Sequence, residues 1–157
     1  MLSNKIGVMQ GRLSKPVNNK IQSFPNRNWK KEFLLAKKLS LKFIEWTLDF
    51  KKLHKNPLLT KKGIKSIRLL SKKYNVKVES ITGDCFMQKP FWKQKSKKVR
   101  INLLNDLKKI LVSASALKIK YLIIPLVDNG SLKNEIQEKI LINELIKFKK
   151  ILKDNNL

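Results

Sequence analysis

The stretch Phe43-Ile44-Glu45-Trp46-Thr47-Leu48 decides how the rest of the chain is read. Strand alternation puts Ile44, Trp46 and Leu48 on one face and Phe43, Glu45 and Thr47 on the other. One face is built to meet apolar helices, and the other carries a carboxylate. Outward from it, the hydrophobic period switches in a regular order. Residues 5–10 form a short strand with Ile6 and Val8 on one side. Trp29, Phe33, Ala36 and Leu39 then recur at helical spacing behind a candidate N-cap, Asn28. After 43–48, Thr60 precedes a helix with Ile64, Ile67, Leu70 and Tyr74 as its inner stripe and Asn75 as its stop. Residues 76–82 form a third strand. The next helix carries Val99, Leu103, Leu107, Ile110, Ala114 and Leu117. Residues 121–127 form a fourth strand whose unbroken apolar character implies burial on both faces. Ser131 then opens a last helix with Ile136, Ile140, Leu145, Phe148 and Leu152 inward and Glu135 and Glu138 at its positive end. Four βα units in succession predict an α/β chain of parallel strands with right-handed crossovers, forming one domain over residues 1–157.

The loops following the strands are long, at 11–27 and 83–96, and those returning to the next strand are short. Barrel and doubly wound enzymes keep their chemistry in such loops. Gly7 and Gly11 do not make a G-x-G-x-x-G fingerprint, and no Walker A sequence occurs, which favours a barrel-type arrangement over a dinucleotide fold.

The chain has 157 residues and a formal charge of +25, from 36 Lys and Arg against 11 Asp and Glu. That charge invites a nucleic-acid reading. However, 32 of the basic residues are Lys, and only Arg12, Arg27, Arg68 and Arg100 offer the fork used for bidentate contacts. Compositional drift toward Lys on exposed helix faces accounts for the charge better, and nucleic acid is disfavoured as a partner. The single cysteine, Cys85, excludes an internal disulfide framework and reads as a small buried filler. The longest apolar run, 121–127, is far too short to span a bilayer. The first residues carry no hydrophobic signal core, so the expected location is cytoplasmic.

In so basic a chain the positions of the acids carry information. Glu45, Asp49, Glu79, Asp84 and Asp128 fall in or just after predicted strands. Glu45 points into the inner face, where a carboxylate must find polar partners. It is either a substrate-hydroxyl ligand or acid/base group, or half of an internal salt bridge to a core Arg or Lys. Asp84 stands between a functional role and turn chemistry, and Asp128, followed by Asn129-Gly130, reads as turn chemistry. At the end of the first strand, Gln10 and Arg12 bring an amide and a guanidinium to the same rim, where Arg12 either grips a phosphate or carboxylate or ties down its own loop. Phe86, Phe91 and Trp92, interleaved with Lys89, Lys93 and Lys95, read as capping an open barrel end or forming a lid over a small ligand, in preference to a base-stacking surface. His54, the only histidine, reads as solvated, and no metal-ligand spacing or nucleophile arrangement occurs.

Gly7-Val8-Met9-Gln10-Gly11-Arg12-Leu13-Ser14, Ile21-Gln22-Ser23-Phe24-Pro25, Phe43-Ile44-Glu45-Trp46-Thr47-Leu48-Asp49, Asn56-Pro57-Leu58-Leu59 and Val127-Asp128-Asn129-Gly130-Ser131-Leu132 occur in that order. Together they resemble the first half of the xylose isomerase-like TIM-barrel superfamily, in its sugar phosphate isomerase/epimerase branch. The resemblance implies four βα units of a (β/α)8 barrel and metal-assisted proton transfer interconverting aldose and ketose or epimeric sugars. A small sugar or sugar phosphate is the implied partner. The family's metal ligands come from strands five to eight. A divalent metal (Mg, Mn or Zn) is therefore expected of a full-length relative, and none is assigned to this chain. Carried over by motif position as substrate-binding residues are Gln10, Arg12, Glu45 and Asp84. A complete barrel takes about 250 residues. The resemblance thus implies a truncated half-barrel, inactive alone, that self-associates, binds a separate second-half chain or is marginally stable. The alternative function is that of the superfamily's abasic-site endonucleases, or of a non-enzymatic nucleic-acid binder.

Overall fold

A computed structural model describes residues 6–16 and 23–154. The expectations placed on Lys5, Ile21 and Gln22 lie outside these residues. Four parallel strands, β1 (Gly7–Met9), β2 (Phe43–Thr47), β3 (Lys77–Thr82) and β4 (Tyr121–Ile123), form one sheet in the order β1-β2-β3-β4. Between and after them run α1 (Trp29–Lys38), α2 (Lys61–Tyr74), the short α3 (Asp84–Gln88), α4 (Lys97–Ala116) and α5 (Glu135–Asp154). The molecule is half of a βα barrel. No helix among the described residues is long and apolar enough to cross a membrane.

Local chemistry sets several boundaries where the sequence puts them. The Thr60 hydroxyl accepts from the Gly63 amide at 3.0 Å, and Asn75 closes α2 in the left-handed region at φ 54°. Gly63 is required for packing, because a Cβ there would lie 2.0 Å from the Pro57 carbonyl oxygen. Asn28 occupies the cap position of α1, but its side chain makes no capping bond.

The outer face of β2 is the centre of the core. Ile44, Trp46 and Leu48 are fully buried, and Trp46 meets Phe24 and Trp29 at ring distances of 5.4 and 5.5 Å. Its indole N–H donates to Asn56 Oδ1 at 2.9 Å, which also accepts from the Leu58 amide at 3.0 Å. One asparagine thereby satisfies a buried indole and caps the 3-10 turn Pro57–Leu59.

The chain's second half departs from the sequence reading in three places. The fourth strand covers only Tyr121–Ile123, and it is exposed at both ends, with Tyr121 at 63% and Ile123 at 39%. It is the sheet's edge, paired only to β3, and Pro125 cannot donate to a ladder. Ser131 does not open the last helix; a 3-10 turn at Asp128–Gly130 precedes it, and the amide of Gln137 is taken by Asn134 Oδ1 at 3.0 Å. Ile136 is 69% exposed, and Leu141 and Phe148 supply the buried stripe of α5. The long 83–96 loop holds α3 and a 3-10 turn at Phe91–Lys93.

Asn56→Ala leaves the Trp46 indole unpaired in the core and uncaps the following turn. A loss of about 2–3 kcal/mol is expected in urea unfolding, against less than about 0.5 kcal/mol for the exposed Asn105→Ala; equal midpoints for the two variants would contradict this role.

Candidate functional site

The inner face of the sheet is concave. Gly7, Val8, Met9, Glu45, Ser80 and Tyr121 are among the residues lining a cavity of about 360 Å³. First and last strands thus face one space, so the sheet curls through an arc.

Glu45 sits on this face as its alternation requires. Its carboxylate accepts from Ser80 Oγ at 2.8 Å and Thr82 Oγ1 at 2.5 Å. The partners are neutral hydroxyls of the neighbouring strand, and no Arg or Lys salt bridge forms to it among the described residues. The register explains why they can reach. Ile44 pairs with Val78, but Glu45 pairs with Ser80, so Glu79 is the extra residue of a β-bulge. A regular ladder would set Glu79 opposite Glu45, two like charges in direct contact. The bulge replaces that repulsion with a hydroxyl. A carboxylate held by two hydroxyls keeps lone pairs for a further donor from the cavity.

Gln10 lies next to it at the end of β1. Its amide donates to the Glu45 carbonyl at 2.9 Å, and its side-chain Oε1 receives the Thr47 amide at 3.4 Å. The residue is 1% exposed and does not line the concavity. Of the four sequence candidates, Glu45 alone lines it: Arg12 is exposed on the loop after β1, and Asp84 is buried in the first turn of α3.

Two acids hold the loops around the strand ends. Asp49 Oδ2 accepts from the Phe24 amide at 2.7 Å and Ser23 Oγ at 3.0 Å, and its Oδ1 accepts from Gln88 Nε2 at 2.9 Å. It ties together the loops after three strands. Glu32 on α1 was not singled out by sequence reasoning. Its carboxylate receives the Gly11 amide at 3.0 and 3.1 Å and Ser14 Oγ at 2.7 Å, fixing the loop that carries Gln10 and Arg12. Gly11 adopts φ +92°, and a Cβ there would meet the Ser23 carbonyl oxygen at 2.5 Å. Burial pushes the Glu32 carboxyl above its ordinary value, against hydrogen bonds from Gly11, Ser14 and Leu13 that pull it down. The available signal was an acid in the first turn of α1, but its partners lie some twenty residues away.

The other candidates are structural. Phe86, Phe91 and Trp92 are buried and stacked edge-to-face, with Phe91 6.1 Å from Phe86 and 5.0 Å from Trp92. Their turn packs against α4 and α5, so they fill the core and neither cover a ligand nor present faces to bases. Asp128 belongs to a turn whose Asn129 donates to the Met87 and Gln88 carbonyls. Burial pushes the Cys85 thiol far up, which leaves it unreactive. The His54 side chain is 66% exposed and lies 3.8 Å from Asp106. Among the described residues, no group of three or more His, Cys, Asp or Glu could hold a metal ion.

No family model matches the sequence, and no curated protein matches it. The fold is similar to the crystal structure of 3-keto-D-glucoside 4-epimerase from E. coli in its apo form, with a TM-score of 0.64 and 15% identity. The match covers 97% of this chain and 53% of that one, so the chain spans about half the length of the enzyme it resembles. At this identity the likeness shows the fold.

The raised Glu32 carboxyl has a pH consequence of definite sign. The folded chain binds this proton more tightly than the unfolded chain. The stability it contributes is therefore full below the unfolded value and lost as pH rises through the folded one. Glu32→Gln removes the titration. The unfolding free energy of the native chain relative to Glu32→Gln should thus grow as pH falls from 7 to 4 in parallel denaturation series; a difference that is flat or shrinks would contradict it.

Proposed function

We propose that the concavity on the inner face of the sheet binds a small sugar or sugar phosphate, and that the chain belongs with the xylose isomerase-like barrels of the sugar phosphate isomerase/epimerase branch. The observation that carries this reading is Glu45 on the inner face, a carboxylate lining the concavity and held by two neutral hydroxyls. Bracketed by Ser80 and Thr82, it accepts from a sugar hydroxyl. The structural neighbour is a 3-keto-D-glucoside 4-epimerase, which supports the same substrate class. Arg12, exposed on the neighbouring loop, suits the phosphate of a phosphorylated sugar. Asp84 serves this reading as a support for the third loop.

Isomerases and epimerases of this kind move a proton at carbon beside a carbonyl, with a metal polarising the oxygens. The described residues do not fit such a metal. The function assigned to this chain is accordingly to hold and orient the sugar, without turnover by the chain alone.

Calorimetric titration with aldoses, ketoses and their phosphates tests the assignment. Binding by at least one member is expected, with Glu45→Gln weakening it about tenfold, the loss of one charge-assisted hydrogen bond. Arg12→Ala should weaken only the phosphorylated ligands. Failure of every sugar to bind the folded chain would overturn the reading, as would binding indifferent to Glu45→Gln.

A further inference from the structure

A second cavity, of about 390 Å³, lies between α2, the start of β3 and the turn that joins α4 to β4. None of its lining residues belongs to β1, β4 or α5, and it shares only Glu79 with the concavity that holds Glu45. Arg68, Lys77, Lys118 and Lys120 line it, with Glu79 as the single acid. Lysines spaced along a helix exterior diverge into water, whereas these four cations come from three elements and surround one space. Such a cluster repels itself, and an anion in its midst relieves the repulsion.

Helix-end chemistry accounts for one of the four. The Arg68 guanidinium donates to the Ala116 carbonyl in the last turn of α4, where carbonyls lack intrahelical partners. That bond reaches from α2 to α4 and leaves the guanidinium further N–H donors. Lys77, Lys118 and Lys120 form no ion pair among the described residues, not even with the Glu79 carboxylate of the same cavity. Lys118 follows α4 in the left-handed region at φ 57°, a position that glycine takes most readily. A glycine there would serve the turn and leave the cavity one cation poorer. Beside the charges, Ile67, Val78 and Leu117 supply an apolar wall.

We propose that this cavity binds a small phosphate ester. Its phosphate lies among Arg68, Lys118 and Lys120, and its apolar body lies against Ile67, Val78 and Leu117. The guanidinium suits phosphate by its fork, and the lysines suit it as mobile point charges. The volume is that of a small-molecule site. This inference concerns a site outside the sheet and does not rest on sugar binding.

A nuclear magnetic resonance titration of the labelled intact chain with phenyl phosphate and with inorganic phosphate, at about 150 mM NaCl to screen the diffuse charge, tests it. The amides of Ser71, Lys118 and Lys120 should shift and saturate at one site per chain, with phenyl phosphate the tighter of the two. Lys118→Gly should weaken phenyl phosphate about tenfold, the loss of one charge-assisted contact. It should leave the chain no less stable in urea, because glycine suits that backbone. The test therefore stays readable even if Arg68→Ala, which should weaken binding as much, disturbs the end of α4. Lys108→Ala, at an exposed position of α4 outside the cavity, should change nothing. Equal losses for Lys108→Ala and Lys118→Gly, which a diffuse positive field would give, would overturn the proposal. So would equal affinity for the two probes, or no saturable shift up to about 10 mM of either.

Discussion

The two-sidedness of β2 is the constraint on which the rest depends. A parallel sheet must cover one face with helices, and Ile44, Trp46 and Leu48 supply that contact completely. Burying each such side chain is worth about 1.5–3 kcal/mol. The same pleat forces Glu45 onto the inner face, where its charge cannot be left without partners. β3 meets that demand by bulging at Glu79, which brings Ser80 into register and Thr82 within reach. Core and candidate site are thus two faces of one strand. A slip of one residue would bury the carboxylate against the helices and turn the indole of Trp46 into the concavity.

The acids are used with restraint. In a chain of 36 basic residues, Glu32, Glu45 and Asp49 form no salt bridge among the described residues. They are held by amide N–H groups, hydroxyls and a glutamine amide. Such donors fix a carboxylate without cancelling its charge. Glu32 and Asp49 spend their acceptors on loops, whereas Glu45 keeps capacity facing the cavity. The most exposed ion pair, Lys139 with Glu135, lies on a helix exterior and contributes little. The basic excess therefore bears on solubility and association, and the strand-end carboxylates bear on chemistry.

What was legible in the sequence was what is decided locally. Thr60 and Asn75 bound α2 because cap chemistry acts within three residues, and the facing of Glu45 follows from pleat alone. The α/β order and the parallel half-barrel follow from those elements in series. What was not legible depends on distant partners. The bulge at Glu79 shows only in the pairing of β3 with β2, and Glu32 finds its partner 21 residues upstream at Gly11. The apolar run at 121–127 was read as buried on both faces, and periodicity cannot say that a strand ends a sheet. Phe91 and Trp92 were read as a barrel-end cap or a ligand lid because a loop sequence does not show which helices will close over it. Gln10, Arg12, Glu45 and Asp84 were all named from sequence as candidates; only the folded chain shows that Glu45 is the one that lines the concavity.

The most direct test of this account is a nuclear magnetic resonance titration of the isotopically labelled chain with a ketose, following the carboxylate of Glu45. The account predicts that this signal moves and saturates, with Ser80 and Thr82 shifting alongside at the same ligand concentration. Perturbations confined to the outer helices, with Glu45 unmoved at saturation, would contradict it.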